Sequence, residues 1–202
     1  MRNYFITGTG TNIGKTIVSA ILTEALEADY WKPIQAGDLE CSDSLKVKNL
    51  ISNQKTIIHP EAYLLNQPMS PHAAAKLDKV TIDLDNINLP ITQNNLIIEG
   101  AGGLMVPLND NDLIIDLISK LKAEVILVSQ NYLGSINHTI LSIEALNHRD
   151  IKIAGIIFNG EENKETESFI LNYTKLKCLG RIKQHQEITK EIVLSYKNQI
   201  SL

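Results

Sequence analysis

Short apolar runs alternate along this chain with longer stretches in which apolar positions recur at three- and four-residue spacing. The first pattern predicts strands and the second predicts helices with one apolar stripe. Strands are expected at 3–7, 30–34, 95–99, 124–129, 152–158 and 177–182, and helices at 15–28, 112–121, 136–147, 162–175 and 187–198. The runs Asn-Leu-Ile-Ile-Glu (95–99) and Glu-Val-Ile-Leu-Val-Ser (124–129) do not alternate, as expected of strands covered by helices on both faces. The order predicts an α/β fold, a doubly wound and mostly parallel sheet.

Residues 53–94 give no such rhythm, because Pro60, Pro68, Pro71 and Pro90 interrupt any long element. Within them, Ser70-Pro71 predicts a helix start, with Ser70 as N-cap and Pro71 in the first turn. No internal repeat or linker breaks the chain, so one domain over 1–202 is expected.

Composition narrows the classes. At 202 residues and 44% hydrophobic content there is material for one core. The net charge of −4 lacks the basic excess of a nucleic-acid surface. No segment reaches the roughly eighteen apolar residues of a membrane span, and the start shows no signal-peptide h-region. Cys41 and Cys178 have no CxxC partner, so neither a disulfide framework nor structural zinc is indicated. A cytoplasmic location is the expectation, with no nucleic-acid or membrane partner.

In parallel α/β sheets ligands bind beyond the carboxyl ends of the strands. Applied to the expected strands, that rule gathers Thr7-Gly8, Lys32, Glu99-Gly100-Ala101-Gly102-Gly103, Ser129-Gln130-Asn131 and Asn159-Gly160 on one rim. Strand ends also turn polar simply on reaching solvent, so no single one of these residues proves a site. The sharpest local feature is Gly8-Thr9-Gly10-Thr11-Asn12-Ile13-Gly14-Lys15-Thr16 between strand and helix, a P-loop with Thr9 where the commonest pattern has glycine. Its amides and the following helix start suit a triphosphate, Lys15 suits the β- and γ-phosphates, and the Thr16 hydroxyl suits Mg²⁺. A dinucleotide fingerprint fits less well, since Ile13 stands at its sixth position and Lys32-Pro33 where an acidic ribose ligand belongs.

Lys32, at the exit of a short buried strand, either meets an anion or snorkels to solvent. Glu99, closing the most apolar strand beside the P-loop strand, is placed to bind or orient Mg²⁺. Asp43 is either a second acidic ligand or part of a Ser42-Asp43 helix cap.

Together Thr7-Gly8-Thr9, Gly14-Lys15-Thr16, Lys32-Pro33, Glu99-Gly100-Ala101-Gly102-Gly103 and Leu133-Gly134-Ser135-Ile136-Asn137-His138 resemble the dethiobiotin synthetase family, in order over nearly the whole chain. The resemblance implies a P-loop NTPase-type fold and a homodimer that carboxylates 7,8-diaminononanoate with CO₂, using ATP and Mg²⁺, and closes a ureido ring. It makes Lys15, Lys32 and Thr11 the catalytic set, Thr16, Asp43 and Glu99 the metal ligands, and Asn12, Ile13, Gly14, Lys15, Thr16 and Ile17 the triphosphate wrap. Asp43, Glu99, Gly100, Ala101, Gly102, Asn159 and Gly160 complete the nucleotide side, with Asn159 on adenine. Lys32, Ala36, Gly134, Ser135, Ile136 and Asn137 face the substrate, the last four across a dimer interface. His72 is either a ligand contact or helix-start packing.

Three departures from the family pattern matter, one of them a short Lys32-to-Asp43 connection, which makes the metal assignment of Asp43 weaker than that of Glu99. Ala36 replaces a hydroxyl residue, so a substrate hydrogen bond is lost or moves, with Gln35 the nearest substitute. Lys183 follows Leu179-Gly180-Arg181-Ile182 where a proline normally helps to hold adenine. The main rival is a nucleotide-switched ATPase of the ParA or MinD type. Those proteins carry a lysine at the position of Gly10 and often end in a basic helix, which 187–199 is not. A cobyrinate-type amide ligase would need a glutaminase domain for which there is no room.

Overall fold

The computed structural model describes residues 1–202. In chain order it contains β1 (Asn3–Gly8), α1 (Lys15–Leu26), β2 (Asp29–Trp31), β3 (Ile34–Ala36), α2 (Asp43–Leu50), β4 (Ile58–His59), β5 (Tyr63–Leu65) and α3 (Pro71–Leu77). There follow β6 (Leu96–Gly103), α4 (Ile114–Leu121), β7 (Glu124–Gln130), α5 (Ser135–Asn147), β8 (Ile153–Asn159), α6 (Lys164–Thr174), β9 (Cys178–Ile182) and α7 (Lys190–Ser195). Seven strands form one sheet in the order β4-β2-β6-β1-β7-β8-β9, and every neighbouring pair is parallel. β3 and β5 form a separate parallel pair.

The continuous apolar strands still obey a period of two once their faces are known. On β1, Phe5 enters one core with Leu96 and Ile98 of β6 and the apolar stripe of α4. Tyr4 and Ile6 enter the other, with Ile97, α1 and α7. A smaller core under α5 and α6 holds Leu127, Ile143, Ile156, Phe158 and Ile170. β1 sits between β6 and β7, so the crossovers diverge there, and the crevice at its carboxyl end is where such folds place ligands.

The structure corrects the expected strand at 30–34. It breaks at Lys32-Pro33: β2 stays in the main sheet and β3 leaves it to pair with β5. Pro33 has no N–H to donate, which ends a central ladder. The strand expected at 95–99 instead runs on to Gly103, because Gly8 pairs with Gly103 after an irregularity. The five expected helices are all present with displaced ends; the last is cut from 187–198 to Lys190–Ser195.

Helix α2 begins at the Ser42-Asp43 cap that the sequence offered, the Ser42 side chain accepting from the Leu45 amide at 3.3 Å. α3 starts as expected at Ser70-Pro71, although the Ser70 side chain makes no cap bond. The irregular segment around α2 and β4 is tied down by two buried carboxylates. Glu24 accepts from the Ser52 and Asn53 amides, and Asp29 from the Ile57 amide and the Thr92 hydroxyl. Cys41 and Cys178 are both free and exposed. No helix is long and apolar enough to cross a membrane.

Candidate active site

Strand parity builds the centre of the site. Ile97 and Glu99 of β6 point to the α1 face, and Tyr30 lies in register with Ile97 on the same face of β2. The phenol of Tyr30 therefore reaches forward along the sheet to Glu99, donating to Oε2 at 2.9 Å. Two residues on, Lys32 Nζ reaches Glu99 Oε1 at 3.1 Å, Asp43 Oδ2 at 2.7 Å and the Gly100 carbonyl at 3.2 Å. From the start of α1, Thr16 Oγ1 donates to Glu99 Oε1 at 2.8 Å. A carboxylate only 1% exposed thus accepts from three side chains, which is how a buried charge is made tolerable.

These contacts show where the Lys32 and Asp43 side chains lie. Lys32 does not snorkel; it is 4% exposed and lies between two carboxylates. Burial alone would lower its pKa, but Glu99 and Asp43 outweigh burial and raise it. Burial raises the Asp43 carboxyl, yet the Lys32 charge and hydrogen bond bring it below its usual range. Ser42 supplies the helix cap, leaving the Asp43 side chain free to face Lys32.

The Tyr30 hydroxyl is held protonated by burial and by the Glu99 charge. Tyr30→Phe should leave Glu99 Oε2 without its donor and lower folding stability by about 1–3 kcal/mol. Urea denaturation measures this, and an unchanged midpoint would show that the hydroxyl is dispensable.

The P-loop is formed as the glycine pattern predicts. Gly14, at φ 88°, caps α1 in a left-handed conformation, and a β-carbon there would collide with the Asn159 amide. Lys15 lies over the loop, donating to the Gly10 carbonyl at 2.7 Å. With no carboxylate in salt-bridge contact, its pKa is lowered by burial to about 8. The sign has two consequences. Between about pH 8 and the ordinary lysine value the unfolded chain holds more protons, so this lysine's contribution to stability rises with pH there. Anion binding runs the other way, since a neutral amine offers no charge. ATP affinity should therefore fall above pH 8 by about tenfold per unit; calorimetry from pH 7 to 9.5 tests this, and a flat profile removes Lys15 from phosphate binding.

A cavity of about 800 Å³ lies in front of these groups, lined by Thr11, Asn12, Gly14, Lys15, Thr16 and Ile17, by Lys32, Ala36 and Asp43, and by Glu99, Ala101 and Gly102. Sequence reading missed its far wall, Asp38, Lys46 and Pro68 to Pro71, apart from the Ser70-Pro71 helix start. These residues come from the irregular 37–71 region, whose position depends on β3 leaving the main sheet. Gln35 lines the cavity with one donor and one acceptor of its amide already engaged. It is 4% exposed, its Oε1 accepts from the Asp43 amide at 3.2 Å, and its Nε2 donates to the Gly37 carbonyl at 2.9 Å.

A second cavity of about 340 Å³ adjoins the P-loop through Ile17 and is lined by Gln130, Asn159, Gly160, Ile182, Lys183, Gln184 and His185. Asn159 Nδ2 donates to the Ile13 carbonyl at 2.9 Å, so it braces the P-loop as well as facing this cavity. Gly134, Ser135, Ile136 and Asn137, at the start of α5, line neither cavity. His72 lines neither cavity; its amide donates to the Pro107 carbonyl at 3.3 Å, a helix-start contact.

Thr16, Asp43 and Glu99 offer hydroxyl and carboxylate oxygens only, the hard donor set Mg²⁺ prefers. Two carboxylates are a common protein share for Mg²⁺ when phosphates and water complete its shell. No group of three or more His, Cys, Asp or Glu side chains forms an all-protein cage.

A family model described as an AAA domain matches residues 2–192. The chain is 57% identical to the ATP-dependent dethiobiotin synthetase of Christiangramia forsetii, covering 96% of this chain and 94% of that one. It is 55% identical to that of Cytophaga hutchinsonii, covering 97% and 95%, and 47% identical to that of Chlamydia pneumoniae, covering 98% and 89%. Among solved structures it is similar to the septum site-determining protein MinD of Pyrococcus horikoshii complexed with Mg-ADP, with TM-score 0.59, 17% identity and coverage of 96% and 85%. The cell division ATPase MinD of Pyrococcus furiosus has TM-score 0.59 at 14% identity, covering 98% of both chains. At those identities the structural likeness speaks for the P-loop NTPase fold.

Proposed function

The chain belongs to the ATP-dependent dethiobiotin synthetases, and from that premise we propose that it carboxylates 7,8-diaminononanoate with CO₂ and closes the ureido ring at the expense of ATP. It is an ATP-dependent ligase of biotin biosynthesis. The observation that carries the mechanism is the meeting of Lys15, Thr16, Lys32, Asp43 and Glu99, from separate segments, on one cavity.

One amine of the substrate attacks CO₂ and, on losing a proton, becomes a carbamate. A carbamate oxygen then attacks the γ-phosphorus, ADP departs, and a carbamic-phosphoric anhydride results. The second amine attacks its carbonyl carbon, expelling phosphate and closing the ring. No covalent enzyme intermediate is required. The protein has to hold two anions in line and offset charge on the transferring phosphoryl group.

Lys15 and the amides of 12–17 grip the triphosphate, with Thr11 at the mouth of the loop. Lys32, at the junction of the P-loop side and the Ala36 side of the cavity, faces both carbamate and phosphoryl oxygens. Thr16, Asp43 and Glu99 would hold Mg²⁺, which when bound neutralises polyphosphate charge. Ala101 and Gly102 line the cavity beside Glu99, Gly100 stands behind them with its carbonyl on Lys32, and Asn159 and Gly160 face the base.

The exposed turn at Tyr132 to Gly134, outside the cavity of its own chain, supports a homodimer in which Gly134 to Asn137 complete the partner's substrate site. The ParA/MinD likeness supports only a shared nucleotide fold. The discriminating assay is phosphate release with Mg²⁺, ATP and bicarbonate, with and without the diamine, following dethiobiotin by mass spectrometry. Release that depends on the diamine and matches dethiobiotin supports the reading, whereas slow release indifferent to the diamine sinks it in favour of a nucleotide switch.

A further inference from the structure

The cavity beside the P-loop has a wall whose support comes from a residue outside it. Beyond β9 the chain continues as Lys183-Gln184-His185, and all three line that cavity. Lys183 and Gln184 are exposed, and nothing in their own sequence fixes the backbone there. The Lys183 N–H donates to Tyr196 Oη at 3.0 Å, and His185 Nε2 lies 2.8 Å from the same oxygen. The Tyr196 and His185 rings meet edge to face, with centroids 5.9 Å apart. The arrangement that uses each group once has Oη accept from Lys183 and give its own proton to His185 Nε2, placing the imidazole proton on Nδ1.

Tyr196 is itself immobilised. It is 3% exposed and belongs to the core that includes Val193 of α7, Leu179 and Ile182 of β9, and the apolar face of α1. The following residues fold back, with the Ser201 amide donating to the Leu179 carbonyl at 2.9 Å. One hydroxyl, fixed from the core, thus holds both ends of a three-residue wall.

We propose that Tyr196 is a positioning residue for nucleotide-base recognition, its hydroxyl fixing the Lys183 to His185 wall of the cavity beside the P-loop. The proposal rests on the reading that ATP binds along the P-loop with its base toward Asn159. It also accounts for the departure at 183. A proline there would fix φ through its ring and carry no N–H; lysine is free in φ and brings a donor, and Tyr196 Oη accepts that donor. In this chain the restraint on residue 183 is a hydrogen bond to Tyr196.

The test compares wild type with Tyr196→Phe, Lys183→Pro and the double variant, measuring ADP affinity by calorimetry, and kcat and KM with ATP, GTP and CTP. Tyr196→Phe keeps the ring in the core and removes both hydrogen bonds. It should weaken ADP binding and raise the ATP KM by about five- to tenfold, keep kcat within about twofold, and lower the preference for ATP over the other nucleotides. Adding Lys183→Pro should recover most of the loss, because the ring restores the restraint without needing an acceptor.

Unchanged ADP affinity and base preference in Tyr196→Phe would overturn the proposal. So would a loss that proline at 183 fails to recover. A wild type that binds no adenine nucleotide would overturn the nucleotide reading and this inference with it. A wild type that prefers ATP beside an indifferent Tyr196→Phe would overturn the inference alone.

Discussion

Lys32→Met should lower turnover by about three orders of magnitude while changing ADP affinity by less than about threefold. The side chain keeps its length and loses its charge, so the cavity remains the same shape. In the structure all three ammonium protons have partners, on Asp43, Glu99 and the Gly100 carbonyl. That places the charge between the nucleotide-binding half of the cavity and the half bounded by Ala36 and Pro68, where the carbamate and the phosphoryl group meet in the proposed reaction. Nucleotide affinity, by contrast, depends on Lys15 and the loop amides, which Lys32 does not touch. Removing one partner of a buried ion pair also leaves uncompensated charge, so the variant should be less stable than wild type and should regain stability with Mg²⁺. Rapid-quench turnover together with ADP calorimetry separates the two effects. Turnover within tenfold of wild type would end the catalytic role of Lys32.

Glu99→Gln should raise the Mg²⁺ concentration needed for half-maximal activity by at least about tenfold and lower the maximal rate by about a hundredfold. Glutamine matches glutamate in shape but replaces one acceptor oxygen with an NH₂ group. Thr16, Lys32 and Tyr30 all donate toward the two carboxylate oxygens. An amide can receive at one end only, so at least one donor is left facing another donor in a site 1% exposed. The charge balance changes as well, since Lys32 keeps Asp43 alone as its counter-ion. Mn²⁺ binding to the ADP complex, followed by electron paramagnetic resonance, gives a readout independent of turnover. Identical metal titrations for the variant and wild type would remove Glu99 from the metal site.

How much of this was legible in the sequence depends on how local the cause is. The P-loop was legible because Gly8, Gly14, Lys15 and Thr16 act within one turn, and Gly14 has the positive φ its identity permits. Strands β1, β6, β7 and β8 were legible because burial on both faces needs unbroken apolar stretches, whereas the edge strand β9 carries only Leu179 and Ile182 inward. Glu99 was legible as the one charge ending such a run. The split of the expected 30–34 strand was readable in principle, since Pro33 forbids a ladder bond, but where β3 goes depends on Tyr63 to Leu65, nearly thirty residues away. The start of helix α2 was legible as a Ser42-Asp43 cap, but its length was not, because its eight residues carry only a weak apolar stripe, with Ser44 and Val47 buried.

The tertiary structure decided three things that the sequence alone left open. Lys32 could have snorkelled to solvent, and it is buried because β2 and β6 pair in the register that sets Tyr30 beside Ile97 and carries Lys32 to Glu99. Asp43 could have been only a cap, and it faces Lys32 because Ser42 takes the capping bond. The Gln35 side chain had no set direction, and folding ties one acceptor and one donor of its amide to the Asp43 N–H and the Gly37 carbonyl. The sequence by itself determined the fold class, the phosphate loop and the family, because these follow from patterns along the chain. The pairing of charges, the far wall of the cavity and the hold of Tyr196 on Lys183 were decided only by folding. Each joins residues from different segments, and side-chain hydrogen bonds across such distances leave no periodic trace in the chain.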